Sequence, residues 1–241
     1  GSVTYSVTDS DGLTATVTRR VVVTAADRPD TVTPENKTVY LTFDDGPSAN
    51  TERLLDILDA YGVKATFFVT DFHEGYTNCI GEIARRGHTV GIHSASHDYN
   101  VIYQSEEAYF SDLCRMQEII FEQTGEYTKL VRFPGGSSNT VSRYNPGIMT
   151  RLTNDLNDMG YAYFDWNVSA ADTASNATRY TVVANIKEGV PQHDYSVVLQ
   201  HDTNDFSVDA VEEILSWGMQ NGYSFRALDL TTPAVHHSVA N

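Results

Sequence analysis

The chain has 241 residues and a formal net charge of −16, an imbalance that argues against nucleic acid and anionic membrane surfaces as partners. Its hydrophobic fraction is 41%, ordinary for a chain long enough to bury a full core. No apolar run approaches the roughly 20 residues of a membrane-spanning helix. Residues 1–24, rich in Thr and Val around Asp9-Ser10-Asp11-Gly12, read as a β-hairpin. One hairpin is marginally stable alone. The chain opens on Gly1-Ser2 in mid-strand, as an excised segment would, so the lack of a leader carries no information. A β module over 1–28 and a linker over 29–37, with Pro29 and Pro34, are expected before the main domain.

From Thr38 to residue 231 strand and helix patterns alternate. Strands are expected at 39–44, 64–69, 89–93, 129–133, 161–165, 196–200 and 223–228. Helices are expected from a cap at Ser48 or Asn50 to Tyr61, then over about 80–86, 105–124, 146–159, 178–187 and 208–220, with a tail over 232–241. Such alternation predicts a parallel sheet with helices outside, closed or nearly closed into a barrel. No glycine-rich fingerprint follows the first strand, which weakens a dinucleotide-binding reading. Cys79 and Cys114 fall in different helices and could pair only if those helices pack together.

The reactive residues collect at one end of this map. Asp44 and Asp45 end the first strand, His93 ends the third with His97 just beyond, and Arg132 is near the end of the fourth. Asp165 ends the fifth strand and His201 follows the sixth. C-terminal strand ends are where barrel enzymes build their sites. Two adjacent carboxylates are costly to bury unless a cation compensates them. Two imidazoles four residues apart share a face in a helical turn and suit zinc. With one carboxylate they make three protein ligands, leaving a position open as catalytic sites require.

Five ordered motifs then carry a resemblance: Thr42-Phe-Asp-Asp-Gly-Pro47, His93-Ser-Ala-Ser-His97, Arg132-Phe-Pro-Gly-Gly136, Asp165-Trp166 and Leu199-Gln-His201. Residues 38–230 resemble the polysaccharide deacetylases of the NodB-homology type, carbohydrate esterase family 4, in the versions common in bacterial peptidoglycan N-acetylglucosamine deacetylases. The resemblance implies a distorted, incomplete (β/α) barrel of about seven parallel strands and metal-dependent removal of acetyl groups from a polysaccharide. It implies Asp45, His93 and His97 as ligands of one divalent metal ion, zinc first, with cobalt or nickel as alternatives. It makes Asp44 the general base, held by Arg132, and His201 the general acid, oriented by Asp165. Gly135 would offer a backbone N–H to the oxyanion, and Trp166 and Leu199 would wall the acetyl pocket. The N-terminal hairpin resembles the last strands of an immunoglobulin-like repeat, implying further repeats upstream and a secreted or cell-surface bacterial protein.

The remaining histidines, His73, His88, His193, His236 and His237, belong to no motif and read as surface or loop residues. Two competing functions are weaker. A non-catalytic carbohydrate-binding module needs no acid, base and open metal site together. A two-carboxylate glycosidase needs its carboxylates about 5–9.5 Å apart across the scissile bond, which adjacent Asp44 and Asp45 do not suit. Within the deacetylase reading, O-acetylated xylan is the alternative to N-acetylglucosamine.

Overall fold

The structure is a computed structural model and describes residues 2–8, 10–20, 28–73 and 75–241. Ser2–Thr8 (β1) pairs antiparallel with Thr14–Arg20 (β2), from Ser2 opposite Arg20 to Thr8 opposite Thr14. The expected hairpin is present, and its continuation to Thr24 lies outside the described residues.

The main sheet is built around Thr38–Asp44 (β3). On one side follow Thr66–Thr70 (β4), Thr89–Ser94 (β5), Leu130–Val131 (β6) and Ala162–Tyr163 (β7). On the other side Val168–Ser169 (β8) is outermost and Tyr195–His201 (β9) lies against β3. Ser224–Phe225 (β10) pairs with Thr38 and Val39, ahead of Thr42, where the pairing with β4 begins. All of these pairs are parallel. The crossovers carry Thr51–Ala60 (α1), Cys79–Arg85 (α2), Tyr99–Ile102 (α3), Glu106–Thr124 (α4), Ile148–Asp158 (α5), Arg179–Gly189 (α6) and Asp205–Gln220 (α7). Helix α4 starts where Ser105 Oγ accepts the Ala108 N–H at 3.2 Å and stops at Gly125, whose φ of 74° ends the helix in the left-handed region.

Strand pleating sorts the residues into two layers. Val39, Leu41 and Phe43 face outward into the large core shared with Leu54, Leu55 and Leu58 of α1. Tyr40, Phe68, Leu130, Ala162, Phe164, Val197 and Leu228 form a smaller cluster inside the curl of the sheet. Asp44 follows Tyr40 at i+4, Arg132 follows Leu130 at i+2, and His201 follows Val197 at i+4. The reactive side chains therefore continue the inner layer toward the C-terminal ends of the strands. Gly91 takes an inner position on β5, where a Cβ would stand 2.6 Å from Phe68 Cδ1, so the phenyl ring occupies the space.

The curl is open between β7 and β8, which lie at opposite edges of the sheet. Residues 164–167 span the gap without a ladder. Phe164 N–H donates to Val131 O at 2.9 Å on one edge, and Asn167 N–H donates to Val197 O at 3.1 Å on the other. The Asn167 amide adds a bond from Val197 N–H at 2.7 Å and one to Tyr195 O at 3.0 Å. The incomplete barrel matches the expected fold class, with corrections. The fourth, fifth and seventh expected strands shrink to two residues each, and β8 was not anticipated, because a ladder this short shows no alternation. Helices α2 and α4 do pack together, yet Cys79 and Cys114 are both free. Among the described residues no helix is long and apolar enough to cross a membrane.

Candidate active site

Asp45, His93 and His97 converge beyond the end of β3. The Asp45 Oδ1 lies 3.2 Å from Nε2 of both imidazoles, and the three ligand atoms fall within 4.8 Å of one another. The same Oδ1 is buried without a hydrogen-bond partner, an orphan acceptor of the kind a cation satisfies. The His93 Nδ1–H donates to Arg132 O at 2.8 Å, which leaves the Nε2 lone pair facing the site. One orphaned carboxylate oxygen with two imidazole nitrogens fits a borderline divalent ion such as zinc. Burial by itself would raise the Asp45 pKa, but the close imidazoles of His93 and His97, with charge from His93 and His201, outweigh it and hold the carboxyl well below the usual range.

Two of the three candidate ligands sit in strained backbone. Asp45 has φ 70° and His97 has φ 50°, left-handed values that cost an L residue roughly 1–2 kcal/mol. The His97 loop is held by a residue that sequence reading missed. Asp112 on α4 accepts Ser94 Oγ–H at 2.6 Å, Ala95 N–H at 2.8 Å and Ser96 N–H at 2.9 Å. His93 and His97 are thus not on a helical turn, as their spacing suggested; a strand end and a clamped loop bring them together.

Asp44 is 3% exposed and Arg132 fully buried, with Nη1 of Arg132 2.8 Å from Asp44 Oδ1. The guanidinium also donates to Thr42 Oγ1, Phe164 O and Asp165 O, and stacks 4.3 Å over the Phe68 ring. A buried ion pair needs this degree of satisfaction to offset desolvation. Across the ladder Asp44 is in register with His201.

The partner of His201 is Asp172, and this corrects the expectation of Asp165. Asp172 Oδ1 accepts the His201 Nδ1–H at 2.8 Å and its Oδ2 accepts the His201 backbone N–H at 2.7 Å. Ser207 Oγ–H adds a bond to the same carboxylate at 2.6 Å. The His201 Nε2 then faces the site, 3.8 Å from Asp45 Oδ2. Burial would lower the imidazole pKa, but Asp172 outweighs it, with help from Asp44 and Asp45, and lifts it to about 9. The proton is therefore held at neutral pH and lost only as pH rises through that value. In Asp172→Asn the His201 titration midpoint, followed by ¹H–¹⁵N NMR, should fall toward the ordinary value of about 6.5. An unmoved midpoint would break the pairing.

Asp165 has a different job. Its carboxylate accepts Ser137 N–H at 2.8 Å, Ser137 Oγ–H at 2.5 Å and the His237 N–H at 2.8 Å. It ties the turn carrying Gly135 to the C-terminal tail. His236 and His237 are accordingly not loose: His236 stacks on Tyr163 at 3.8 Å, and the His237 Nε2–H donates to Trp166 O at 2.7 Å. His88 is also inside, 5% exposed, where its Nδ1 accepts the Ala65 N–H at 3.1 Å and burial presses its pKa down to about 4. His73 lines a cavity of about 180 Å³ together with Asp45, Thr70, Phe72, His97 and Thr203. The Gly135 N–H has no acceptor among the described residues. Trp166 packs against Gly136, where a Cβ would stand 2.9 Å from its Cη2. Leu199 is half-buried on β9 between Thr42 and Ser169. Beneath the site Asp202, buried and raised to about 7 chiefly by burial, accepts Thr51 Oγ1–H at 2.5 Å and abuts Gly46.

The sequence model of the polysaccharide deacetylase family matches residues 31–163. The crystal structure of the catalytic domain of peptidoglycan N-acetylglucosamine deacetylase from Eubacterium rectale superposes with a TM-score of 0.87 at 57% identity, covering 88% of this chain and 98% of that one. A peptidoglycan-N-acetylglucosamine deacetylase of Bacillus cereus is 32% identical over 201 residues, 80% of this chain and 70% of the relative. The Xyl-CE4 domain of a multidomain xylanase from the hindgut metagenome of Trinervitermes trinervoides gives a TM-score of 0.64 at 25% identity, covering 80% of this chain and 88% of that one.

Proposed function

The chain belongs to the polysaccharide deacetylase family, and from that premise we propose that it is a metal-dependent enzyme removing the acetyl group of N-acetylglucosamine units in peptidoglycan. The observation that carries the reading is the convergence of an orphaned Asp45 oxygen, two imidazoles, the Arg132-bound Asp44 and the Asp172-bound His201 at one barrel mouth.

Asp45, His93 and His97 would hold the divalent ion, which when bound supplies Lewis-acid polarisation of the acetyl carbonyl and acidifies a water. Asp44 accepts the proton of the attacking water, and Arg132, donating to its Oδ1 at 2.8 Å, holds the carboxylate in place beside Asp45. The Gly135 N–H, with no competing acceptor among the described residues, stabilises the negative charge that develops on the carbonyl oxygen. His201, kept protonated by Asp172, gives its Nε2 proton to the leaving sugar amine. The half-buried Trp166 and Leu199 border the space for the acetyl methyl. Asp165 acts through Ser137 on the Gly135 turn and touches no reacting atom.

The relatives favour peptidoglycan as the substrate, since the 57%-identical structure is named for that activity and the xylanase domain is far less similar. Action on peptidoglycan would place the chain outside the bacterial cell, where an immunoglobulin-like module ending in the β1–β2 hairpin would present it. Acetate release from peptidoglycan, acetylated chitooligosaccharide and acetylated xylan, compared in parallel, tests the proposal. Release from the first two should vanish with chelator and return with zinc, cobalt or nickel. No release from any of the three with metal bound would sink the enzyme reading, and release from xylan alone would move the activity to ester hydrolysis.

A further inference from the structure

We propose that Tyr99 is a specificity-determining residue of this site, its hydroxyl and ring contacting the sugar that carries the acetyl group. The proposal rests on the deacetylase reading above. The turn Arg132-Phe133-Pro134-Gly135 delivers a backbone N–H to the site but no side chain at Gly135. The space beside it is shared by Asn139 and Tyr99: a Cβ on Gly135 would stand 3.1 Å from the Asn139 Cβ, 3.6 Å from the Tyr99 Oη and 3.7 Å from its Cε1. The ring lies 5.3 Å edge-on from that of His97. The hydroxyl is therefore placed between the proposed oxyanion donor and a proposed metal ligand.

Its position is fixed from several directions. Tyr99 stacks on the fully buried Tyr103, with centroids 6.2 Å apart and planes 16° apart. The Tyr103 Oη–H donates to Pro134 O at 2.7 Å, binding the stack to the Gly135 turn itself. From outside, the Tyr144 Oη–H donates to Tyr99 O at 2.5 Å. Yet the Tyr99 hydroxyl has no hydrogen-bond partner among the described residues. An amphipathic ring held rigidly with a free donor and acceptor is a preorganised recognition group. A phenol hydroxyl matches the hydroxyls of a neutral pyranoside, and the ring matches its C–H face. With the acetyl carbonyl directed at the Gly135 N–H, the attached sugar is brought alongside Tyr99.

Two variants and two substrates test this. Tyr99→Phe removes the hydroxyl and keeps the stack; Tyr99→Ala removes both. For tetra-N-acetyl-chitotetraose the KM and the calorimetric Kd should rise about 5- to 10-fold in Tyr99→Phe and further in Tyr99→Ala. In Tyr99→Phe, turnover of p-nitrophenyl acetate, which has no sugar, and metal content should stay at the wild-type level. An unchanged KM and Kd in both variants would overturn the assignment. So would an equal loss on both substrates in Tyr99→Phe, which would mark Tyr99 as packing for the shared machinery. If the wild-type chain binds the tetrasaccharide but releases no acetate, the deacetylase reading fails, and the Kd series alone still decides the role of Tyr99.

Discussion

His201→Ala should lower kcat for acetate release by roughly 10²–10⁴-fold, the usual worth of a positioned general acid, while the chain keeps its metal. The reason is a division of labour between neighbours. The His201 Nε2 is 3.8 Å from Asp45 Oδ2, whereas the Nε2 atoms of His93 and His97 are each 3.2 Å from Asp45 Oδ1. His201 is tied to Asp172 rather than to the three clustered candidate ligands. The leaving amine of an amide is a poor leaving group until protonated, so loss of the donor falls on kcat. Because Asp172 holds the proton on His201 until pH rises through about 9, the alkaline limb of wild-type kcat should lie well above the ordinary imidazole value of about 6.5. Wild-type turnover in the variant would remove His201 from the chemistry.

The second large effect is expected at His93. The residue is 4% exposed, and its Nδ1–H is committed to Arg132 O at 2.8 Å, so its Nε2 is oriented before any ion arrives. His93→Ala removes one of three ligands and leaves the buried Asp45 oxygen facing a void. Losing a supporting partner of a ligand typically costs 10–100-fold in metal affinity; losing the ligand should cost more than about that factor. Elemental analysis should find the variant without stoichiometric metal, and acetate release should drop to background. A folded His93→Ala chain, judged by its melting curve, that retains both metal and activity would refute the ligand set.

The legible parts of this molecule are those with long strands. Alternation over 38–44 and 195–201 is enough to fix which side chains share a face, and so Asp44 and His201 could be placed together before any coordinates. Asp172 could not be found this way, because it follows the two-residue strand Val168–Ser169, which carries no readable period. Asp165 looked like a strand end, but the pleat held the correcting signal. Phe164 belongs to the inner layer, which turns Asp165 to the opposite side, toward Ser137 and the tail. His236 and His237 were invisible for another reason: their places are set by Tyr163, Trp166 and Asp165, more than seventy residues away in sequence, and not by any local pattern. The metal-ligand spacing was recognised for a helical reason that the fold does not use. Only the side-chain clamp from Asp112 explains why a loop brings His97 back to His93.

The adjacent carboxylates at the end of β3 bear the most specific assignment, Asp45 to the metal and Asp44 to the water. Metal content of Asp44→Asn and Asp45→Asn, determined side by side on folded protein, tests it directly. Asp44→Asn keeps the Arg132 contacts to Thr42, Phe164 and Asp165, so it should still bind the ion while its turnover falls roughly 10²–10⁴-fold. Asp45→Asn should lose the ion. Metal retained by Asp45→Asn and lost from Asp44→Asn would contradict the assignment.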